Sequence, residues 1–177
     1  MAVTQFLRFR GKIPALCAVL LLASCEAAGT LAGGGAQSDY LVARQALETG
    51  NYDLAIRRYG ALMDQVDASA ASRLQLEYAH ALLRGNRYDE AVALCDTLIA
   101  RQTGSIRASA LSVRGTARHE AARRLLDAGR EPATARALLV AASADIDAFL
   151  AAPGALDAAG SMRARSQLIS ADLARLS

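Results

Sequence analysis

Two seven-residue stretches of this sequence match each other: residues 50–56 read GNYDLAI, and residues 86–92 read NRYDEAV. Each begins with a turn-forming residue, has tyrosine third and alanine sixth, and the two alanines are 36 positions apart. Glycine or asparagine suits a tight turn, the tyrosine can wedge against the preceding helix, and alanine allows close helix approach. A period in the thirties with a helix on each side of the turn is typical of stacked helix pairs.

The chain after residue 38 is helical in character throughout. Alanine- and leucine-rich segments follow one another, and the alternating Val/Ile/Thr runs that strands need do not occur in the sequence. Breaks rich in glycine, asparagine or proline separate the segments. The predicted helices are 38–48, 52–66, 70–84, 88–102, 105–127, 132–151 and 155–176. Because the connections are short, consecutive helices should be antiparallel neighbours in an all-α fold.

The two stretches resemble the tetratricopeptide repeat (TPR), whose turn commonly reads Gly-x-Tyr-x-x-Ala and whose second helix carries an aromatic residue four positions later. Tyr59 holds that position in the first copy, and Cys95 holds it in the second. A fainter third copy is present at residues 129–135, GREPATA. The chain departs from the family pattern in its period of 36, against about 34 in the family, and it lacks the proline that often closes a repeat.

This resemblance implies a TPR-like right-handed α-solenoid of antiparallel helix pairs. The repeat domain would occupy residues 39–177, with the last helix as a C-terminal cap. A stable array needs about three repeats and capped ends. Three pairs and one further helix meet that requirement.

A second signal is the tetrapeptide Leu22-Ala23-Ser24-Cys25 near the start of the chain. It follows a basic segment without acids and an apolar run of about eleven residues, shorter than the roughly 20 that a membrane-spanning helix needs. This order is typical of a secretory signal. The tetrapeptide resembles the lipobox of bacterial lipoproteins, in which the cysteine is diacylglycerylated and, after cleavage, becomes the acylated first residue.

The lipobox resemblance divides the chain into a lipoprotein signal peptide at residues 1–24, a flexible tether at 25–38 and the repeat domain. It implies lipidation of Cys25, palmitate included, and several acyl chains hold a protein on a membrane firmly. Glu26 follows the cysteine instead of the aspartate that often signals inner-membrane retention, so the expected location is the outer membrane, facing the periplasm. The alternative is an ordinary signal cleaved elsewhere, which would leave Cys25 as an idle thiol.

The charge of the chain gives no support for nucleic-acid binding. Three of the 20 basic residues lie in the signal, and the other 17 balance 17 acidic residues. A nucleic-acid interface needs a clustered basic surface instead. With Cys17 in the signal and Cys25 lipidated, Cys95 is the one remaining cysteine, so no internal disulfide is expected.

Residues that could carry catalysis or bind a metal are few. Glu77 and His80 have the spacing of half a dinuclear metal site, but such a site needs a second pair, and His119-Glu120 does not repeat the spacing. Cys95 could act as a nucleophile beside a histidine, yet its apolar neighbours at helical spacing favour a place in the core. The sequence has no phosphate-binding loop and no serine elbow. We therefore expect no enzyme, metal, cofactor or small-molecule substrate.

The repeat resemblance implies that the partner is a protein, held as a peptide or helix in a concave groove lined by the first helix of each pair. The groove positions that it assigns are Tyr40, Arg44, Leu47, Arg73, Leu76, His80 and Leu83. Arginine binds carboxylates through a planar fork, so an acidic segment or a free chain terminus is one candidate ligand. The alternative is that these arginines are solvated or paired with Glu48 and Glu77. Three further arginines share one face of the fifth helix and could extend the surface: Arg107, Arg114 and Arg118.

Together, the two resemblances predict a lipid-anchored protein that holds partners. Lipoproteins of similar construction include pilotins and the assembly lipoproteins of pili and secretion systems. The expected function is a scaffold or adaptor for assembly of an envelope machine: a pilus, a secretin or a secretion system. The alternatives are a regulator or partner of periplasmic cell-wall enzymes and an accessory lipoprotein of outer-membrane barrel assembly.

Overall fold

Seven α-helices make up the part of the chain that the computed structural model describes, residues 34–66, 68–152 and 157–176. They are α1 (Gly34–Glu48), α2 (Tyr52–Leu62), α3 (Ala68–Arg84), α4 (Tyr88–Arg101), α5 (Gly104–Asp127), α6 (Pro132–Leu150) and α7 (Ser161–Ala174). These ranges contain no strand, so the predicted all-α class is confirmed. The predicted signal peptide, Cys25 and the tether up to residue 33 lie outside the described residues.

The helices pack in pairs, and each pair contacts the next. The pairs are α1 with α2, α3 with α4, and α5 with α6. The last helix, α7, packs against α6. The first helices of the second and third pairs, α3 and α5, also touch directly, as do α5 and α7. This nearest-neighbour packing is that of a helical-repeat array. None of the described helices combines the length and apolar character needed to cross a membrane.

The three turns inside the pairs share one backbone geometry. Gly50, Asn86 and Gly129 have left-handed φ angles of +83°, +60° and +61°. In each turn, the residue after the left-handed one donates its backbone N–H to a carbonyl near the end of the preceding helix, as in a Schellman motif. These bonds run from Asn51 N to Ala46 O (2.8 Å), Arg87 N to Leu82 O (2.9 Å) and Arg130 N to Leu125 O (2.9 Å). The predicted match between residues 50–56 and 86–92 is therefore confirmed in the backbone.

The alanines that follow these turns are equivalent in position. Ala55, Ala91 and Ala135 are all fully buried, and each backbone N–H bonds to the carbonyl of the residue that caps its helix. The residues four positions later are also fully buried: Tyr59, Cys95 and Leu139. The third copy is thus a repeat in structure as well, but its turn is one residue longer.

The tyrosines that open α2 and α4 link each helix pair to the next. The guanidinium of Arg84, at the end of α3, lies 5.3 Å from the ring centre of Tyr52. In the same way, Arg124 of α5 lies 5.8 Å from the ring centre of Tyr88. Cation–π contacts at such exposed places contribute about 0.5–1 kcal/mol each. The tyrosines therefore join consecutive repeats as well as shaping their own turns.

Three helix boundaries differ from the prediction by more than two residues. Helix α1 begins at Gly34, so residues 34–38, which were expected in the tether, are helical. Ala36 is buried in the core of the first pair, and this packing outweighs the low helix propensity of the glycines. Helix α2 ends at Leu62, because the backbone then turns through residues 63–65. Helix α7 begins at Ser161, six residues later than predicted.

The late start of α7 is explained by the cap that Asp157 provides. Its carboxylate accepts hydrogen bonds from the backbone N–H groups of Met162 (3.0 Å) and Arg163 (3.1 Å) and from the Ser161 hydroxyl (3.2 Å). Negative charge at a helix N-terminus is favourable. The bond from the Met162 N–H, aided by the one from Arg163, lowers the pKa of Asp157 below its ordinary value.

The Asp157 cap predicts a pH-dependent contribution to stability. A carboxyl group whose pKa is lowered by folding stabilises the fold above its unfolded pKa of about 3.9, and this contribution disappears as the pH falls through the folded value. We expect Asp157→Asn to melt at a lower temperature than the wild type at pH 7 and to approach it below about pH 4. Thermal unfolding by circular dichroism from pH 7 to pH 2 measures this. A difference that stays constant over that range would contradict the cap.

Candidate protein-binding groove

The helices α1, α3, α5 and α7 lie side by side and form what we call the inner face. A side-chain bond joins α1 to α3, a shared apolar cluster joins α3 to α5, and polar contacts join α5 to α7. The groove residues predicted from the sequence belong to the first two of these helices. The two ends of the inner face differ in how many of their polar side chains are already bonded to other residues of the protein.

At the α1–α3 end, five side chains bond to one another. The carboxylate of Glu77 accepts a hydrogen bond from the Tyr40 hydroxyl (3.0 Å) and another from the Tyr59 hydroxyl (2.8 Å). Burial, and then the bond to Glu77, raise the pKa of Tyr59 well above its ordinary value. Arg44 bonds to Glu48 (2.9 Å) and lies 3.7 Å from Glu77. Arg44 is therefore paired with Glu48 and Glu77, as the alternative interpretation of the sequence stated.

Replacing Glu77 tests this closed cluster. In Glu77→Ala the hydroxyl of Tyr59, a fully buried residue, loses its acceptor. An unsatisfied buried donor costs about 1–3 kcal/mol, so we expect the free energy of unfolding to fall by about 2 kcal/mol. Glu48→Ala is the matched control, because that carboxylate is exposed and surface pairs contribute about 0–1 kcal/mol. Urea unfolding of both variants decides, and equal losses would argue against the cluster.

The other predicted groove residues fall into three groups. Leu47 and Leu76 are half-buried and pack onto core clusters, so little of them faces a groove. Arg73 is exposed and has no ion pair with any described residue. His80 and Leu83 line a cavity on the inner face. Of the seven predicted groove residues, only His80 and Leu83 therefore share one open part of the inner face.

The cavity that contains His80 and Leu83 is walled by α3, α5 and α7, together with the α3–α4 turn and Tyr88 of α4, and has a volume of about 390 Å³. Its apolar lining is Leu83, Val113 and Met162, and its polar lining is His80, Arg84, Asn86, Tyr88, Ser112, Thr116, Glu120 and Arg165. We call it the inner cavity. Most of these residues were not among those predicted from the sequence, although Thr116 lies one 36-residue period after His80 and could have been found by extending the repeat.

A buried polar bridge between α5 and α7 closes one side of the inner cavity. His119 is fully buried, and its Nδ1 lies 3.1 Å from a guanidinium nitrogen of Arg165. Since arginine can only donate, Nδ1 is the acceptor and Nε2 carries the proton, which it donates to Asp172 at 3.0 Å. Arg165 also bonds to Glu120 at 2.8 Å. The charge of Arg165 is therefore compensated within the protein.

A second cavity of about 430 Å³ lies beyond this bridge, also between α5 and α7. Its lining combines Leu126, Leu168 and Leu176 with the oppositely charged Arg123, Asp127, Asp172 and Arg175. The bridge therefore separates two openings along the same pair of helices.

Comparison with protein families shows that residues 46–114 match the tetratricopeptide repeat. This segment carries TPR-like repeats. It runs from the end of α1 through α2, α3 and α4 into the first half of α5. Comparison with curated proteins and with solved structures gave no significant match. The predicted resemblance to this repeat is confirmed for the matched residues.

The tetratricopeptide repeat is typically a non-catalytic module that binds protein partners. Stacked repeats of this kind present an extended concave surface for binding. The inner face of the TPR-like array is therefore the natural candidate surface, and the inner cavity is its open part.

Arg114 and Arg118 of α5 do not extend the inner face, contrary to one suggestion from the sequence. Arg114 and Arg118 both bond to the buried carboxylate of Asp145 in α6. Arg114 also bonds to Asp96 of α4. These contacts place the two guanidinium groups between α4 and α6, on another side of α5, where they hold the TPR-like pairs together. Arg107 is exposed and takes no part in this cluster.

Cys95 lies in the core of the TPR-like array, as the sequence predicted. It is fully buried among Ala79, Leu98 and Val113. Burial raises the pKa of its thiol to about 12, so the thiol is a poor nucleophile at neutral pH. Within the described residues, no three His, Cys, Asp or Glu side chains are grouped to hold a metal ion.

Proposed function

We propose that this protein is a lipid-anchored adaptor of the outer membrane that faces the periplasm and holds a protein component of an envelope machine during assembly. The machine would be a pilus, a secretin or a secretion system. The repeats support a protein-binding role, and the lipobox-like sequence at Cys25 supports the anchor. The proposal rests on the inner cavity, because this cavity is an open space on the face through which a protein-binding module would hold its partner.

The contrast between the two ends of the inner face supports a partner bound toward the C-terminal end. Tyr40, Tyr59, Glu77 and Arg44 use their polar groups on one another. In the inner cavity, by contrast, His80 and Thr116 make no side-chain hydrogen bond to any described residue. Because these two side chains are not bonded to a described residue, they can bond to a partner without first breaking such a bond.

Crosslinking in the native envelope, followed by purification and mass spectrometry, tests the adaptor role. We expect a pilus, secretin or secretion-system component to be captured by the wild type. Thr116→Arg, which fills the inner cavity, should remove that component. Thr134→Arg makes the same change on the exposed surface of α6 and should leave the capture intact.

The same experiment can support the alternatives. Recovery of cell-wall enzymes alone, unaffected by Thr116→Arg, would favour a regulator of those enzymes that binds through another surface. Recovery of barrel-assembly components that Thr116→Arg removes would keep the adaptor role and the inner face but change the machine.

The lipid anchor has its own test. We expect the mature N-terminal peptide of the wild type to begin at Cys25 and to carry the added mass of its acyl groups. Cys25→Ser should remove both the acylation and the cleavage at this position, because the thiol is the acceptor of the lipid. Mass spectrometry of the N-terminal peptide, with membrane fractionation, measures this. A Cys25→Ser protein with the same N-terminus and the same membrane retention would contradict the anchor.

A further inference from the structure

His119 of α5 is fully buried, and both of its ring nitrogens are bonded to side chains of α7. Nδ1 lies 3.1 Å from a guanidinium nitrogen of Arg165, and Nε2 lies 3.0 Å from the Asp172 carboxylate. A guanidinium can only donate a hydrogen bond, and an ionised carboxylate can only accept one. The two bonds therefore exist together only when the ring is neutral and its proton is on Nε2.

The charged groups in this bridge can balance a proton on the ring. Asp172 and Glu120 supply two carboxylates, whereas Arg165 supplies one guanidinium. A protonated His119 would bring these four charges to zero. Water screens the exposed arginines at the rim of the bridge, which are Arg123 of α5 and Arg175 of α7.

Charged groups on the other helices packed against α5 line the inner cavity or are bonded elsewhere. From α3, His80 and Arg84 line the inner cavity. Asp96 of α4 and Asp145 of α6 both bond to Arg114, on another side of α5. Histidine is the side chain that ordinarily changes its charge between pH 5 and 8. Within the bridge, the ring is therefore the group that can respond to pH in this range.

A proton on Nδ1 would change the bonding of one side of the ring only. Nδ1 would become a donor, so the ring and Arg165 could no longer bond to each other. The bond from Nε2 to Asp172 would become charge-assisted and hence stronger. Arg165 is 22% exposed and lines the inner cavity, so its guanidinium can turn toward that space. Protonation would thus move Arg165 while Asp172 keeps α7 attached to α5.

We propose that His119 is a pH-sensitive switch that sets the position of Arg165 at the wall of the inner cavity. When the ring is neutral, Nδ1 holds the guanidinium against α5. When the ring is protonated, the guanidinium leaves the ring and extends into the cavity. The switch lies within the folded array and does not depend on a partner, so it goes beyond the proposed function.

NMR titration of the full ¹⁵N-labelled chain in detergent, from about pH 8 to about pH 5, tests the switch. The sequence has two histidines, so comparison with His80→Asn assigns the ring signals of His119. At pH 8 we expect this ring to carry its proton on Nε2 alone. As the pH falls, protonation of the ring should shift the side-chain nitrogen signals of Arg165 with the same midpoint.

His119→Asn supplies the decisive variant, because its side-chain amide can accept a bond from Arg165 but does not titrate. We expect it to lose the pH-dependent shift of the Arg165 signals, whereas His80→Asn should keep that shift. The wild-type titration needs no variant, so it decides even if His119→Asn fails to fold. A ring protonated on Nδ1 at pH 8, a ring that stays neutral down to about pH 5, a ring that titrates without moving the Arg165 signals, or Arg165 signals that still shift in His119→Asn would overturn the inference.

Discussion

Replacing Ala91 by arginine is expected to lower the free energy of unfolding by about 4 kcal/mol. Losses of this size are uncommon and arise when a mutation overfills a core or buries an unpaired charge. Ala91 is fully buried where α4 packs after its turn. An arginine there must displace neighbouring helices, which costs about 1–3 kcal/mol, and must also carry its charge out of water. Urea unfolding monitored by far-ultraviolet circular dichroism measures the loss.

Ala93→Arg is the matched control for this substitution. Ala93 lies on the same helix, two residues further along the chain, and is exposed. Since surface changes usually stay within about 0.5 kcal/mol, it should unfold like the wild type. If Ala91→Arg and Ala93→Arg were equally stable, the alignment of residues 86–92 with residues 50–56 would be misplaced.

Replacing Asp145 by alanine is expected to cost about 3 kcal/mol, because removing one partner of a buried ion pair is strongly destabilising and leaves Arg114 and Arg118 with only the exposed carboxylate of Asp96. The Asp145 side chain is 5% exposed, and Arg114 and Arg118 both bond to it. The two guanidinium groups are 16% and 20% exposed, so water reaches them in part and the loss falls at the low end of the range for buried pairs. For a chain of this size we expect the melting temperature to fall by about 6–12 °C.

Asp147→Ala separates the ion pairs from the general effect of losing a carboxylate on α6. Asp147 is exposed, and the one side-chain hydrogen bond that it makes within the described residues comes from the Ser143 hydroxyl at 3.3 Å. We expect its loss to be within about 0.5 kcal/mol. Double replacement of Asp145 and Arg114 should cost less than the sum of the two single changes, since the residues interact directly. Strict additivity would show that the pair contributes little to holding α5 on α6.

The helices and turns were predictable because single residues specify them. A left-handed turn needs glycine or asparagine, and Gly50, Asn86 and Gly129 supply it. The third repeat was faint in the sequence because its turn has one extra residue, Glu131, which also takes a left-handed φ of +49°. An insertion of one residue shifts the alanine out of register in a linear comparison, while the helix that follows packs as before.

Contacts between helices were less predictable, since they depend on how the helices cross. Arg114 and Arg118 share a face of α5, as the sequence indicated, but only the position of α6 shows that Asp145 lies between them. Gly115 is another example. A side chain at this place would put its Cβ 2.8 Å from the Ile146 Cδ1, so the glycine is needed for the close approach of α5 and α6.

The candidate groove was predictable only in part for the same reason. Counting by 36 residues aligns Arg44, His80 and Thr116 on successive inner helices, and two of these three line the inner cavity. The contribution of Met162 and Arg165 could not be found in this way, because α7 is not a copy of the repeat. Nor does the sequence reveal that Glu77 is already bonded to two tyrosines.

The burial of Cys95 has a consequence for the redox behaviour of the folded repeats. Because burial raises the pKa of this thiol to about 12, very little of it is ionised at pH 7, and the thiolate is the species that attacks disulfides. The fully buried sulfur is also out of reach of glutathione and oxidoreductases. The helical array should therefore keep the same covalent structure in an oxidising or a reducing compartment.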